Sequence, residues 1–141
     1  MNKLWLLGAA LSAAALGTSV YAQQESVTVP APHTKIEVPE HTYHMPRSDF
    51  EVFRGGYDLS NGQTLKLTHS GTAMYAEIDK EGRHRIVATG HDSFVALDRK
   101  LQMKIDWHPD GSVGGEVLIA VPTRNLATGE MEDQVIRFAM R

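Results

Sequence analysis

Apolar and polar residues alternate along most of the chain after Phe50, as is typical of β-strands with one buried face. Leu65 and Leu67, for example, alternate with Thr64, Lys66 and Thr68. The alternation predicts strands near residues 52–59, 63–69, 72–79, 83–89, 92–97, 101–107, 113–121 and 133–140. A helical turn is expected only around residues 47–53.

Short turn sequences separate these runs. Asn61-Gly62 supplies residues that tolerate positive φ in a tight hairpin, and Pro109-Asp110-Gly111 favours a type I turn followed by a glycine. Connections this short force neighbouring strands to pair antiparallel. We therefore expect an all-β fold, an antiparallel meander of about eight strands over residues 50–141. Closure into a small up-and-down barrel would bury one face and remove the sheet edges, and a two-sheet sandwich is the alternative.

The first 22 residues have the pattern of a secretory signal peptide. Lys3 precedes an apolar run, and Val20 and Ala22 form a small-residue exit, which predicts cleavage after Ala22. The run is too short for a transmembrane helix, which needs about 20 apolar residues. We expect a periplasmic protein with no membrane span in the mature chain.

Residues 23–49 hold four of the six prolines of the chain. Proline removes a backbone donor and disfavours helix in the residue before it, so this stretch is predicted to be a flexible, extended arm. Its aliphatic residues offer docking positions as edge strands: Val27, Val29, Ile36 and Val38.

Composition narrows the function classes. The chain has 141 residues, no cysteine and a formal net charge of −3. The lack of cysteine excludes a disulfide scaffold and a cysteine-ligated zinc site, and the lack of basic excess argues against nucleic-acid binding. The remaining partner classes are a protein or a small ligand.

The sequence FRGGYDLSNGQTL at residues 53–65, followed by Gly71 and by MYAEI at residues 74–78, carries a family resemblance. It resembles small exported proteobacterial β proteins with a G-x-Y-x-L-S-N-G…Y-A-E-L pattern. A similar pattern occurs in the small β domain appended to some β-lactamase-related serine hydrolases. The resemblance implies a β fold, and because the shared motifs are turn and core residues, it transfers no catalytic residue.

Histidine and methionine in the arm suggest a metal site. Imidazole suits Cu(II), Zn(II) and Ni(II), and a thioether suits Cu(I). The candidate copper ligands are His33, His41, His44 and Met45. Assembling them would cost the arm its conformational freedom, so a solvated linker is the competing interpretation.

Three aromatic residues are candidates for lining a small-ligand pocket: Tyr57, Tyr75 and Trp107. Core filling is the alternative, because an eight-stranded barrel has room for side chains alone or for one small ligand. His69, Asp92 and Ser93 form a catalytic triad only on paper, and no serine has the G-x-S-x-G context of a nucleophile elbow. We therefore expect a binding or interaction module without a cofactor and not an enzyme. Copper binding through the arm is the second hypothesis and a small hydrolase the third.

Overall fold

The computed structural model describes residues 35–141, all within one compact unit. The signal peptide, His33 and the first part of the arm lie outside the described residues. A one-turn helix α1 (Arg47–Phe50) runs into a 3₁₀ turn (Glu51–Phe53). The strands that follow are β1 (Gly55–Asp58), β2 (Thr64–Ser70), β3 (Ala73–Ile78), β4 (Arg83–Ala88), β5 (Ser93–Ala96), β6 (Leu101–Trp107), β7 (Val113–Arg124) and β8 (Met131–Met140).

Within residues 35–141 the eight strands form one sheet in chain order, and every neighbouring pair is antiparallel. The predicted antiparallel meander is confirmed, and the alternative of two packed sheets is wrong. Each predicted strand is present, as is the helical turn near 47–53, because alternation and turn residues are local signals that a meander preserves.

The sheet is not closed by a strand ladder between β1 and β8. These strands meet only at one end, through an isolated bridge between Leu59 and Met140. Ser60 N–H donates to Ala139 O and Arg141 N–H donates to Asp58 O, both at 2.9 Å. The predicted up-and-down barrel therefore remains a prediction.

The hairpin turns follow the expected chemistry. Gly62 has a φ of 86° and Gly111 a φ of 84°, values that L-residues rarely adopt. Beyond the β6–β7 ladder, which ends at Ile119, residues 120–124 of β7 pair with residues 131–135 of β8. This two-stranded ribbon lengthens both strands relative to the predicted 113–121 and 133–140.

One face of the sheet holds the main core. It is formed by the alternating apolar residues of the strands, among them Leu65, Leu67, Ile86 and Ile105, each 1% exposed or less. Phe50 and Phe53 come from α1 and the 3₁₀ turn and contact Phe94 edge to face, with ring centroids 5.8 and 5.3 Å away. We call residues 47–53 the cap, because this segment inserts its aromatic rings into the core.

We call residues 35–46 the strap. Its first residues, Ile36 and Val38, cover part of the opposite face of the sheet, whereas Tyr43 and Met45 pack against the main core. Ile36 is only 2% exposed and packs with Val95, Leu118 and Ala120 in a second apolar cluster. The predicted arm is therefore packed against the sheet over its described part, and it lies on a face of the sheet rather than as an edge strand. The physical reason is that β5 and β7 carry apolar residues on both faces, so their outer face also needs cover.

Among residues 35–141, no helix has the length and apolarity needed to cross a membrane.

Candidate functional site

The strap runs from the outer face of the sheet, at Ile36 and Val38, to the main core, at Tyr43 and Met45, and its second half borders a groove. Tyr43 N–H donates to the carbonyl oxygen of Ala88 at 2.8 Å, at the end of β4. The Tyr43 hydroxyl lies 2.9 Å from His91 Nδ1, and the two rings are 4.7 Å apart. The resulting cavity, about 320 Å³, is the strap groove, lined by residues 42–47 on one side and by Thr72, Met74, Val87 and Ala88 on the other.

Two of the predicted copper ligands lie at this groove. His44 is exposed, whereas Met45 is half-buried and packs against the main core. His41 is an exposed strap residue outside the groove lining, and His33 lies outside the described residues. The structure thus brings together His44 and Met45 of the four candidates, and copper binding through the arm stays a prediction.

Met74 is a groove residue that the sequence analysis missed. It lies on β3, half-buried against the main core, and shares the groove with Met45. Its parity with Ala76 and Ile78 already placed it on the buried face of β3. No sequence signal placed it beside a methionine from the strap, because that proximity depends on how the strap crosses the sheet.

A charged cluster joins the cap to β2. His69 Nε2 lies 2.7 Å from Glu51 Oε1, and Arg54 Nη1 donates to Glu51 Oε2 at 2.8 Å. Arg47 Nε lies 3.6 Å from the same carboxylate. Desolvation acts to raise the pKa of Glu51, but the hydrogen bond with His69 and the charges around it leave that pKa below its ordinary value. Glu51 is therefore a stable hydrogen-bond acceptor at neutral pH.

The tautomer of His69 follows from these contacts. A carboxylate has only acceptor atoms, so the proton in the 2.7 Å contact between Glu51 and His69 lies on Nε2. Arg54 Nη1, 3.2 Å from the same nitrogen, therefore donates to Glu51 and not to His69. The other ring nitrogen, Nδ1, is buried and has no hydrogen-bond partner within the described residues. Nδ1 consequently presents a lone pair, because a proton there would be a buried donor without an acceptor.

A second imidazole–carboxylate pair lies between β4 and the turn after β5. His84 Nδ1 is 2.6 Å from Asp98 Oδ2, and Lys100 N–H donates to Asp98 Oδ1. Desolvation opposes ionisation here too, but these hydrogen bonds keep the pKa of Asp98 below its ordinary value. Asp98 also lines a surface cleft of about 410 Å³, which the Lys100–Asp133 ion pair crosses at 2.7 Å.

The catalytic triad considered in the sequence analysis, His69, Asp92 and Ser93, is not assembled. Ser93 Oγ donates to Asp92 Oδ1 at 2.8 Å, but His69 contacts Glu51 and Arg54 instead of Asp92.

The three aromatic candidates lie in three different environments. Tyr57 is buried in the main core, where its hydroxyl donates to Phe53 O at 2.6 Å and burial raises its pKa. Tyr75 lies under the Arg83 guanidinium, whose carbon is 4.2 Å from the ring centre. Trp107 is 51% exposed beside Phe53. The structure does not gather these rings at one pocket, and their role in ligand binding stays a prediction.

The described residues contain no group of three or more histidine, aspartate or glutamate side chains arranged to hold a metal ion. That absence concerns only histidine and carboxylate side chains and does not extend to methionine thioethers. No protein-family model, no curated protein and no solved structure matches the chain.

Proposed function

We propose that this chain is an exported, non-enzymatic binding module of the periplasm, and that its binding site is the strap groove. The observation that carries the proposal is the placement of residues 42–46 of the strap beside the start of β3 and the end of β4, where they border a cavity lined by two thioethers and an imidazole-bearing residue. The resemblance of residues 53–79 to small exported β proteins of proteobacteria belongs to the same proposal.

The groove combines features of a small-ligand site. It is concave, part of its lining is the apolar surface of Met45, Met74 and Val87, and polar groups of Thr42 and Thr72 lie at the same cavity. Small-molecule sites typically pair an apolar wall with a few polar groups that set orientation. Binding here needs no activated nucleophile.

A ligand screen by NMR tests the proposal. The processed protein is titrated with metal ions, amino acids, nucleotides and short peptides while backbone amide shifts are followed. The perturbed amides should be confined to residues 42–47 and to the facing residues of β3 and β4, and no ligand should be converted.

Two matched variants test whether the ligand binds in the strap groove. Thr72→Trp adds bulk at the groove and should weaken binding, whereas Thr128→Trp adds the same bulk at the exposed turn between β7 and β8 and should leave binding unchanged. Equal affinities in the two variants, or turnover of a bound compound, would refute the proposal.

Export is tested separately. Expression of the full chain in a Gram-negative host should yield a periplasmic protein whose amino terminus is Gln23. Retention of an uncleaved chain in the cytoplasm would contradict this part of the proposal while leaving groove binding open to its own test.

Copper binding through the arm is the second candidate function, favoured by the presence of His44 and Met45 at one groove. Calorimetric titration with Cu(II) and Cu(I) compares the wild type with a His41→Ala, His44→Ala double variant. Loss of binding in the double variant supports the arm as the site, and equal titrations refute it.

A further inference from the structure

Met45 and Met74 line the strap groove, and His69 neighbours Met74 across the β2–β3 ladder. Met45 and Met74 line the same groove and are both half-buried. His69 is directly opposite Met74 in the β2–β3 ladder, so both side chains project from the same face of the sheet. Directly opposed residues of an antiparallel pair have their Cβ atoms about 4.5–5.5 Å apart. Met74 therefore links the groove to the imidazole of His69.

The imidazole of His69 has the hydrogen bonding of a metal ligand. Histidines that bind metals typically donate the N–H of the second ring nitrogen to a carboxylate, which fixes the tautomer and raises the basicity of the ligating nitrogen. In this chain Nε2–H is held by Glu51 at 2.7 Å, and Nδ1 is buried with no partner among residues 35–141. The side chain of His69 is only 11% exposed, so Nδ1 is shielded from bulk water.

We infer that Cu(I) binds where the strap groove meets the β2–β3 ladder, with the thioethers of Met45 and Met74 and Nδ1 of His69 as ligands. The inference rests on the proposed function, which makes the groove the binding site, and it names the ligand class. Thioethers are soft ligands that select Cu(I), and a neutral imidazole completes a low-coordinate set. Zn(II) and Cu(II) favour several nitrogen or oxygen ligands, whereas Met45, Met74 and His69 together supply two sulfur atoms and one nitrogen.

This ligand set differs from the set of arm residues that the sequence predicts as copper ligands. Met74 and His69 come from the sheet, and Met45 is the one arm residue in the set. Replacement of His41, which lies outside the groove lining, should therefore leave Cu(I) affinity unchanged if the sheet-based set is correct. The variant His41→Ala thus separates the two sites, because the arm-based set loses a ligand in it.

A competition titration measures Cu(I) affinity against a chromophoric Cu(I) chelator under anaerobic conditions. Met45→Leu and Met74→Leu keep the apolar volume and remove the sulfur, and each should reduce affinity by about tenfold or more. Met131→Leu is the matched control, because Met131 is 65% exposed on β8 and should not affect affinity. Glu51→Gln keeps the size of the side chain but removes the carboxylate that accepts the His69 hydrogen bond. Cu(I) affinity should therefore fall by about 10- to 100-fold.

A spectroscopic readout shows whether His69 itself is a ligand. In ¹⁵N-labelled protein, addition of Cu(I), which is diamagnetic, should move the His69 Nδ1 resonance and leave that of His84 unchanged. If His69 Nδ1 does not move, or if the leucine variants bind as tightly as Met131→Leu, the inference is wrong. Absence of Cu(I) binding also overturns it, and the ligand screen with Thr72→Trp then decides the proposed function independently.

Discussion

Replacement of Ile36 by alanine tests whether the strap is a structural part of the domain. The sequence predicted a flexible arm through residue 49, and on that view a side chain at position 36 should contribute almost nothing to stability. The structure buries Ile36 to 2% exposure against Val95, Leu118 and Ala120. The two descriptions therefore predict very different costs for the same substitution.

The expected cost follows from the groups removed. Ile36→Ala deletes three carbon atoms from a nearly buried side chain, worth about 0.8 kcal/mol each in transfer free energy. The cavity that remains adds to this loss, by an amount that depends on how far the strap settles onto the sheet. We expect the free energy of unfolding to fall by about 2–4 kcal/mol.

Urea denaturation followed by tryptophan fluorescence measures the change. With an m value of about 2 kcal/mol/M, the midpoint should fall by roughly 1–2 M while m itself stays constant. Val52→Ala is the matched control, because Val52 is 61% exposed and should change stability by less than about 0.5 kcal/mol. If Ile36→Ala behaves like Val52→Ala, the strap does not pack on the sheet in solution and the groove beneath it loses its wall.

Three further predictions concern backbone geometry and pH. Gly115→Ala should destabilise the protein by about 3 kcal/mol or more, because the φ of Gly115 is 130° and an added Cβ would overlap a carbonyl oxygen of β6. Gly114→Ala, which meets only a movable histidine ring, should cost less than about 1 kcal/mol, and equal thermal unfolding of the two variants would contradict the register of β6 and β7. Arg99→Gly should stabilise by about 1 kcal/mol, because Arg99 has a φ of 63°, whereas Arg85→Gly in β4 should destabilise. Against the effect of desolvation, the neighbouring imidazole and guanidinium leave the pKa of Glu51 below its ordinary value, so its stabilising contribution is present at neutral pH. That contribution should be lost as the pH falls below about 4.3, and a stability–pH curve for Glu51→Gln parallel to that of the wild type would refute it.

The strand pattern could be predicted because it is local. Alternation within each run and the glycines at positions 62 and 111 depend only on neighbours in sequence, and the eight strands follow from them. The ribbon formed by residues 120–124 and 131–135 was only partly predicted. It extends beyond β6, so no sheet face imposes a strict apolar alternation on it.

The candidate site was only half predicted. His44 and Met45 were recognised by residue type, but Met74 and the bond between Glu51 and His69 were not. Glu51 and His69 are 18 positions apart, and their contact depends on the cap folding back over the end of β2. Contacts between segments that only folding brings together have no characteristic spacing in the sequence.

The amino-acid sequence by itself determined the all-β class, the antiparallel order of the strands and the face of each strand that is buried, since period-two patterning and short turns act over a few residues. Only the tertiary structure decided that Ile36 and Val38 cover part of the outer face of the sheet. Only the tertiary structure placed Met45 and Met74 at one groove, and left one nitrogen of His69 buried and without a partner among the described residues. These features arise where segments distant in sequence meet, and packing between faces, unlike alternation within a strand, has no local signature.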